Sequence, residues 1–350
     1  MRRQKERALS FKRRWVAPLA IGLAISASGT GAYASDPPPD FYKGKTITIT
    51  VGVAPGGGYD LYARLAAEFL GRHIPGNPNI IVVNMPGGGG LRAALHLFNT
   101  APKDGTTICA IVQSVGFDSA LGNLAVPADA YNFIGRITDS VEMQIISGDS
   151  PTRTLDDARR RVTAIGATGA YSPSAIVPKL LNDAIRTQFK IVDGYPGTQE
   201  SWLAMERGEV EGTLKSRQAL LASNRDSLQS ARIRVLWQLA MRRHPDFPDV
   251  PAIGELGEDN DGRMMMRLIS STAEIGRSLA TAPGVPEARV KLLRDAFEAM
   301  VADPAFQASA KARGADLLPA SGESLQRIVQ ESVRTPETIV TRVKKDISPN

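Results

Sequence analysis

This chain has little of what enzymes and metalloproteins usually need. It holds one cysteine, Cys109, and three histidines, His73, His96 and His244, in 350 residues. A single cysteine cannot close an internal disulfide, and Cys109 lies in the apolar run 107–112, which marks it as a buried strand residue rather than a nucleophile. The histidines share no metal-type spacing with one another or with cysteine and acidic sets, so no metal and no cofactor are expected. No G-x-S-x-G nucleophile elbow occurs, and no Gly-Lys-Ser/Thr completes a phosphate loop. His73 and His244 are expected at surface helix or loop ends, and His96 on a helix rim. Asp156-Asp157 and residues 206–211 read as solvated charge, and Met264-Met265-Met266 as core or a lining patch.

Excess charge of one sign is also lacking once the first residues are set aside. The formal charge is +6, from 42 basic and 36 acidic residues. Residues 1–34 hold seven of the basic and one of the acidic residues, leaving 35 of each. No basic face is demanded, and nucleic acid is not an expected partner. Those first residues read as a secretory signal: a basic stretch to Arg14, an apolar stretch over about residues 16–27, and Ala32-Tyr33-Ala34 as an A-x-A processing site. The apolar stretch falls short of the ~20 residues of a spanning helix. The mature chain is therefore expected to start near Ser35, in an oxidising compartment outside the cytoplasm. Arg13-Arg14 leaves the export route open between general secretion and a twin-arginine pathway.

Glycine is what the chain does have, in two clusters. The first is Ala54-Pro55-Gly56-Gly57-Gly58-Tyr59-Asp60; the second is Pro86-Gly87-Gly88-Gly89-Gly90. Each follows a strand-like run (residues 46–53 and 80–85) and precedes a helix-like run (61–70 and 91–98). Consecutive glycines carry an entropic penalty and need a steric reason: close approach to a ligand, or tight helix–sheet packing. A glycine turn that opens a helix leaves unpaired backbone N–H groups at the positive end of the helix dipole, which suits an anion such as a carboxylate. Neither cluster is a dinucleotide fingerprint, because Leu61 and Arg92 stand where a third small residue would be needed. Asp60 reads as a cap for its loop.

The strand–loop–helix pattern continues with a third strand at 106–112 and helices at 59–72 and 91–100, which points to a parallel sheet flanked by helices. A second unit repeats the pattern. Strands are expected at 141–147, 162–167, 189–192 and 233–239, with loops at 168–174 and 194–197 opening helices to about 185 and over 199–207. Helices at 286–301, 304–313 and 321–333 close the chain.

With these loops in place, the chain resembles solute receptors of the tripartite tricarboxylate transporter system, the Bug-type periplasmic receptors. The resemblance rests on the two glycine loops with Val51-Gly52-Val53 and Asn84-Met85 before them, on Ala101-Pro102-Lys103-Asp104-Gly105-Thr106-Thr107, on Gly194-Tyr195-Pro196-Gly197, on Arg207-Gly208-Glu209-Val210-Glu211-Gly212, and on Phe247-Pro248-Asp249-Val250-Pro251. Their order and spacing span nearly all of the mature chain. The resemblance implies an α/β, two-lobed fold of the type II periplasmic-binding-protein kind. Each lobe would be a mainly parallel sheet flanked by helices, with a ligand cleft between the lobes. Residues 35–140 and 244–350 would form lobe 1 and residues 141–243 lobe 2. It implies a small organic carboxylate held by Gly56, Gly57, Gly58, Gly88, Gly89 and Gly90, with Asp60 shaping the first loop. Thr168, Gly169, Ser172, Tyr195 and Gly197 would face them from lobe 2, and Ser114 is a further pocket residue. It implies delivery to membrane permease subunits without chemistry. The family often has an aromatic residue where Val53 stands. Two alternatives stay open on the residues alone: an exported hydrolase or lyase using the glycine loops as an oxyanion hole, with Ser114 or His96 as its reactive group, and a ligand sensor for a membrane kinase.

Overall fold

A computed structural model describes residues 41–170 and 172–348. The expected signal segment 1–34, its processing site after Ala34, and most of the proline-rich lead-in lie outside the described residues. In chain order the first elements are β1 (Thr46–Val51), α1 (Gly58–Phe69), β2 (Asn79–Asn84), α2 (Leu91–Asn99), β3 (Thr107–Ile111), α3 (Val115–Ala120) and β4 (Asn132–Arg136). They are followed by β5 (Glu142–Ser147), α4 (Leu155–Arg160), β6 (Thr163–Gly166), α5 (Pro173–Ile185), β7 (Phe189–Val192), α6 (Thr198–Glu206), β8 (Gly212–Ser216), α7 (Arg217–Ser223), α8 (Arg225–Gln229) and β9 (Ile233–Leu239). The last are α9 (Asn260–Ile275), β10 (Ser278–Thr281), α10 (Glu287–Ala302), α11 (Pro304–Ala312), β11 (Ala320–Ser321), α12 (Gly322–Val333) and α13 (Glu337–Ile347).

The strands form two sheets, in the orders β11-β4-β10-β3-β1-β2 and β7-β6-β8-β5-β9. Both are mixed. In the first, β1 pairs in parallel with β2 and β3, whereas β10 runs antiparallel to β3 and β4. In the second, β6 pairs in parallel with β7 and β8, and β5 runs antiparallel to β8 and β9. Alternation decides which side each residue serves. Ile47, Ile49 and Val51 of β1 join a core with α1 and α10, while Cys109 and Ile111 of β3 face the opposite core with α2 and α12. Cys109 is fully buried, and burial pushes its thiol up to about 11, so it is inert.

The second sheet is covered on one face by α5, α9 and α13, with Leu180, Met265, Met266, Ile339 and Val343 buried together, and on the other by Trp202, Met205 and Leu220. The methionine run is thus core at Met265 and Met266. Helix α13 and helix α9, both after residue 244 in sequence, pack on the second sheet rather than the first. The sequence patterns did not mark β4, β8, β10, α9 or α13. In α9, Ser270, Ser271 and Thr272 are buried because their hydroxyls donate to the carbonyls of Met266, Leu268 and Ile269 within the helix.

Residues 137–141 carry the chain from the first sheet to the second, and residues 276–277, after α9, carry it back, the Arg277 N–H donating to the Thr138 carbonyl at 2.9 Å; residues 240–244, which follow β9, lie against the first of these crossings. His244 lies here, buried rather than at a surface loop end as its sequence context implied. Its Nδ1 accepts the Asp246 N–H at 3.1 Å, and its Nε2 lies 3.7 Å from Asp139. Burial lowers the His244 pKa and raises that of Asp139. Buried Arg217 at the end of β8 bridges Asp246 (2.5 Å) and Asp316 (2.8 Å), tying the second sheet to the chain that returns to the first. Glu211 likewise differs from the solvated reading. It is half-buried, paired with Arg161 at 2.6 Å, and bonded by the Ser150 hydroxyl. Asp157 completes a capping box with Thr154 at the start of α4.

Gly135 of β4 lets α10 close on the first sheet: a Cβ there would sit 2.2 Å from Phe297 Cε1. Gly135→Ala is expected to destabilise the protein by about 1–3 kcal/mol through overpacking, read as a lower urea midpoint with an unchanged slope.

Candidate functional site

Both glycine clusters leave the carboxyl ends of adjacent parallel strands, β1 and β2, where open α/β sheets place ligands. The two loops touch. A Cβ on Gly52 would lie 2.6 Å from Gly90 Cα, so only glycine lets the backbones meet there. Gly87, Gly88, Gly89 and Gly90 all have positive φ, from 55° to 144°, as does Gly56 at 91°. Residues 56–58 and 87–89 are exposed.

The backbone donors of these loops fall into two sets. The Gly56 N–H is donated to Asp60 Oδ2 at 2.9 Å, and the Gly90 N–H to the Gly87 carbonyl at 3.0 Å. Those two glycines shape their loops and have no amide left to offer a ligand, a correction to the six-amide grip expected from sequence. Among the described residues, the N–H groups of Gly57, Gly58, Gly88 and Gly89 have no partner.

Asp60 holds the first loop from within. Besides Gly56, its buried carboxylate accepts Arg64 Nε (2.9 Å), Arg64 Nη2 (3.0 Å) and Asn84 Nδ2 (2.9 Å). The Arg64 hydrogen bonds, with those from Gly56 and Asn84, hold its pKa down at about 2. Asn84, the last residue of β2, also donates to the Val53 carbonyl at 3.0 Å. One side chain thus joins the strand before the second loop to the base of the first.

A third wall follows β3. The Gln113 N–H donates to the Tyr59 hydroxyl at 2.8 Å, and Arg277 Nη1 donates to Gln113 Oε1 at 2.9 Å. The Arg277 guanidinium stacks 4.2 Å over the Tyr59 ring. A Cβ on Gly58 would lie 3.5 Å from Arg277 Nε and 3.7 Å from Nη2, so that edge faces the start of α1. Ser114 is half-buried at the start of α3, next to Gln113.

The second sheet contributes the loops before α5 and α6. Ser172 Oγ donates to the Gly169 carbonyl (2.7 Å) and shares a hydrogen bond with Ser174 Oγ (2.6 Å), which accepts the Thr168 N–H (3.2 Å). The Tyr195 ring packs over Gly166, and Gly197 precedes α6 in an extended conformation. Thr168 lines a cavity of about 160 Å³ with Glu142, Ser174, Thr198, Ser201 and Thr213; Gly169, Ser172, Tyr195 and Gly197 stand outside that lining. Burial pushes Glu142 up to about 7, against the opposing pull of Arg277.

Sequence reasoning missed Arg277, Gln113, Glu142, Asn84 and the hydroxyls of Thr198, Ser201 and Thr213. The antiparallel strands explain two of them. Ser278 of β10 pairs with Ile111 at the end of β3, and Glu142 of β5 pairs with Ser216 at the end of β8. Residues at the start of β10 and β5 are therefore carried to the ligand ends of the parallel strands.

A sequence model of the family described as "Tripartite tricarboxylate transporter family receptor" matches residues 63–344. The chain belongs to this family. It is a solute-binding receptor and not an enzyme, which sets aside the oxyanion-hole reading of its glycine loops. Among curated relatives, a UPF0065 protein encoded 5′ of gbd in Cupriavidus necator is 23% identical over 339 residues, covering 95% of this chain and 98% of its own. A TctC solute-binding protein from Polaromonas superposes with a TM-score of 0.69 at 19% identity, over 86% of this receptor and 99% of that chain. An R. palustris protein solved with adipate superposes at 0.55, with 20% identity over 87% and 97% of the two chains. The two-lobed periplasmic-binding-protein fold expected from sequence is thus the fold of its structural neighbours.

Because the folded state raises the Glu142 pKa above the ordinary carboxyl value, ionisation of Glu142 opposes folding. The penalty is absent below about pH 4, grows as pH rises, and is complete above about pH 7. Glu142→Gln is expected to match the wild type at pH 4 and to be more stable by on the order of 1–3 kcal/mol at pH 8, measured by denaturant titration at both pH values.

Proposed function

We propose that this receptor works in the periplasm, captures a small organic acid by its carboxylate between the glycine loops and the second sheet's loops, and delivers it to the membrane subunits of a tripartite tricarboxylate-type transporter. The observation that carries this reading is the set of four unpartnered amides on two loops in backbone contact. Gly57 and Gly58 carry them on one loop and Gly88 and Gly89 on the other, with the Arg277 guanidinium edge beside Gly58. Charge-assisted hydrogen bonds to a carboxylate contribute about 1.5–3 kcal/mol each, so a few of them support micromolar binding after the costs of association. The adipate complex of the R. palustris neighbour supports a carboxylate as the chemical class. Lobe 1 would comprise residues 35–140 and the parts of 244–350 outside α9 and α13, and lobe 2 residues 141–243 with α9 and α13 packed on its sheet, with the crossings at 137–141 and 276–277 as the hinge. Thr168, Gly169, Ser172, Tyr195 and Gly197 would close on the ligand from lobe 2, with Ser114 at the rim.

Gly57 is the position to test. It has φ −85°, and a Cβ there meets nothing within 4 Å, so a larger side chain fits the fold but occupies the space in front of the amides. Gly89 is less suitable, because at φ +63° a β-branched residue would be strained. Gly57→Val is expected to keep the wild-type melting temperature and lose at least about tenfold in affinity for the best acid in a calorimetric screen. Unchanged affinity would remove the glycine loops from the binding site.

A further inference from the structure

Glu142 and Arg277 form a pair of opposite charges that the protein itself does not join. Each stands at the first turn of an antiparallel strand, or just before it, at the ligand end of its sheet. Among the described residues no carboxylate lies within 4.0 Å of the Arg277 guanidinium, and the Glu142 carboxyl has no hydrogen-bond donor. The two still sense each other, since Arg277 is the one charged group that acts appreciably on Glu142. The Nε–Nη2 edge of Arg277 stands beside Gly58, 3.5 and 3.7 Å from where its Cβ would be, at the loop that carries the free Gly57 and Gly58 amides. Glu142 opens into the cavity beneath α5 and α6, where the Thr168 and Thr198 hydroxyls are also without partners among the described residues.

We propose that Glu142 and Arg277 are the specificity determinants of the receptor, selecting an organic acid that carries a cationic amino group. This rests on the carboxylate reading above. The acid's carboxylate lies on the guanidinium edge of Arg277 and the free glycine amides, a bidentate match of planar groups. Its ammonium lies on Glu142, with the threonine hydroxyls accepting the remaining N–H groups. Above about pH 7, where Glu142 is ionised, a dicarboxylate of the same length would place its second carboxylate against it, and that like-charge contact is the rejecting element. The raised pKa of Glu142 agrees with a carboxyl whose counter-charge comes from outside the chain.

The test compares two matched pairs by isothermal titration calorimetry on the exported receptor at pH 8: 4-aminobutyrate against glutarate, and β-alanine against succinate. In each pair an amino group replaces one carboxylate on the same carbon spacer. The wild type is expected to prefer the amino acid in at least one pair by tenfold or more. Glu142→Gln is expected to reduce that preference at least tenfold, and Arg277→Gln to weaken both members of the pair by about tenfold. Glu142→Gln is expected to be more stable than the wild type at this pH, so a lost preference is not a folding defect. Equal or tighter binding of the diacids by the wild type, or an unchanged preference in Glu142→Gln, overturns the inference while leaving carboxylate capture intact. Failure of all four probes and of a wider acid panel to bind overturns the carboxylate reading itself.

Discussion

The site depends on the carboxylate of Asp60 being fully occupied by the protein. An acidic side chain two residues beyond a loop meant for an anion would repel it if its oxygens were free. Here both oxygens are turned inward onto Gly56, Arg64 and Asn84. That arrangement fixes the first loop without using the amides of Gly57 and Gly58, and it neutralises the negative charge with a guanidinium. Because Asn84 closes the second strand onto the same carboxylate, the spacing of the two loops is set before any ligand arrives. Preorganisation of this kind lowers the ordering cost of binding.

Around that anchor, strand direction decides which side chains reach the cleft. Parallel strands deliver glycine loops and helix starts, which supply backbone donors of one electrical sense. The antiparallel strands β5 and β10 enter from the opposite end and bring an ionisable side chain each, Glu142 at the start of β5 and Arg277 just before β10. The binding region proposed above takes main-chain donors and a guanidinium from the first sheet, and a carboxyl and hydroxyls from the second. Each sheet alone carries half of a complementary surface.

Much of this was legible in the sequence and some was not, for definite reasons. The glycine loops could be read because strand, turn and helix signals abut within a dozen residues, and because runs of glycine need a steric cause. Strands β7 and β9 were found at their observed limits, being apolar and flanked by turn residues. Strand β10, Ser278–Thr281, is four residues long and half polar, and its Ser278 and Thr281 hydroxyls find main-chain partners only in the folded protein. β8 begins with a glycine and includes Lys215. Missing those strands hid Arg277 and the cavity residue Thr213. His244 was misplaced because a polar residue between Arg243 and Pro245 looks like surface, whereas the crossing segment buries it against Asp139 and Arg217. Which amides stay free was also illegible, since that turns on whether Asp60 bonds Gly56 or some other donor.

Helix α13 adds a consequence of its own. The hydrophobic interior beneath the second sheet is assembled from strands near the middle of the chain and then sealed by Ile339, Val340, Val343 and Ile347. During synthesis that interior stays unroofed until α13 has been made, and the helix reaches back more than 150 residues to α5 to close it. Completion of that half of the molecule is therefore gated by the docking of a distant helix rather than by its own strands.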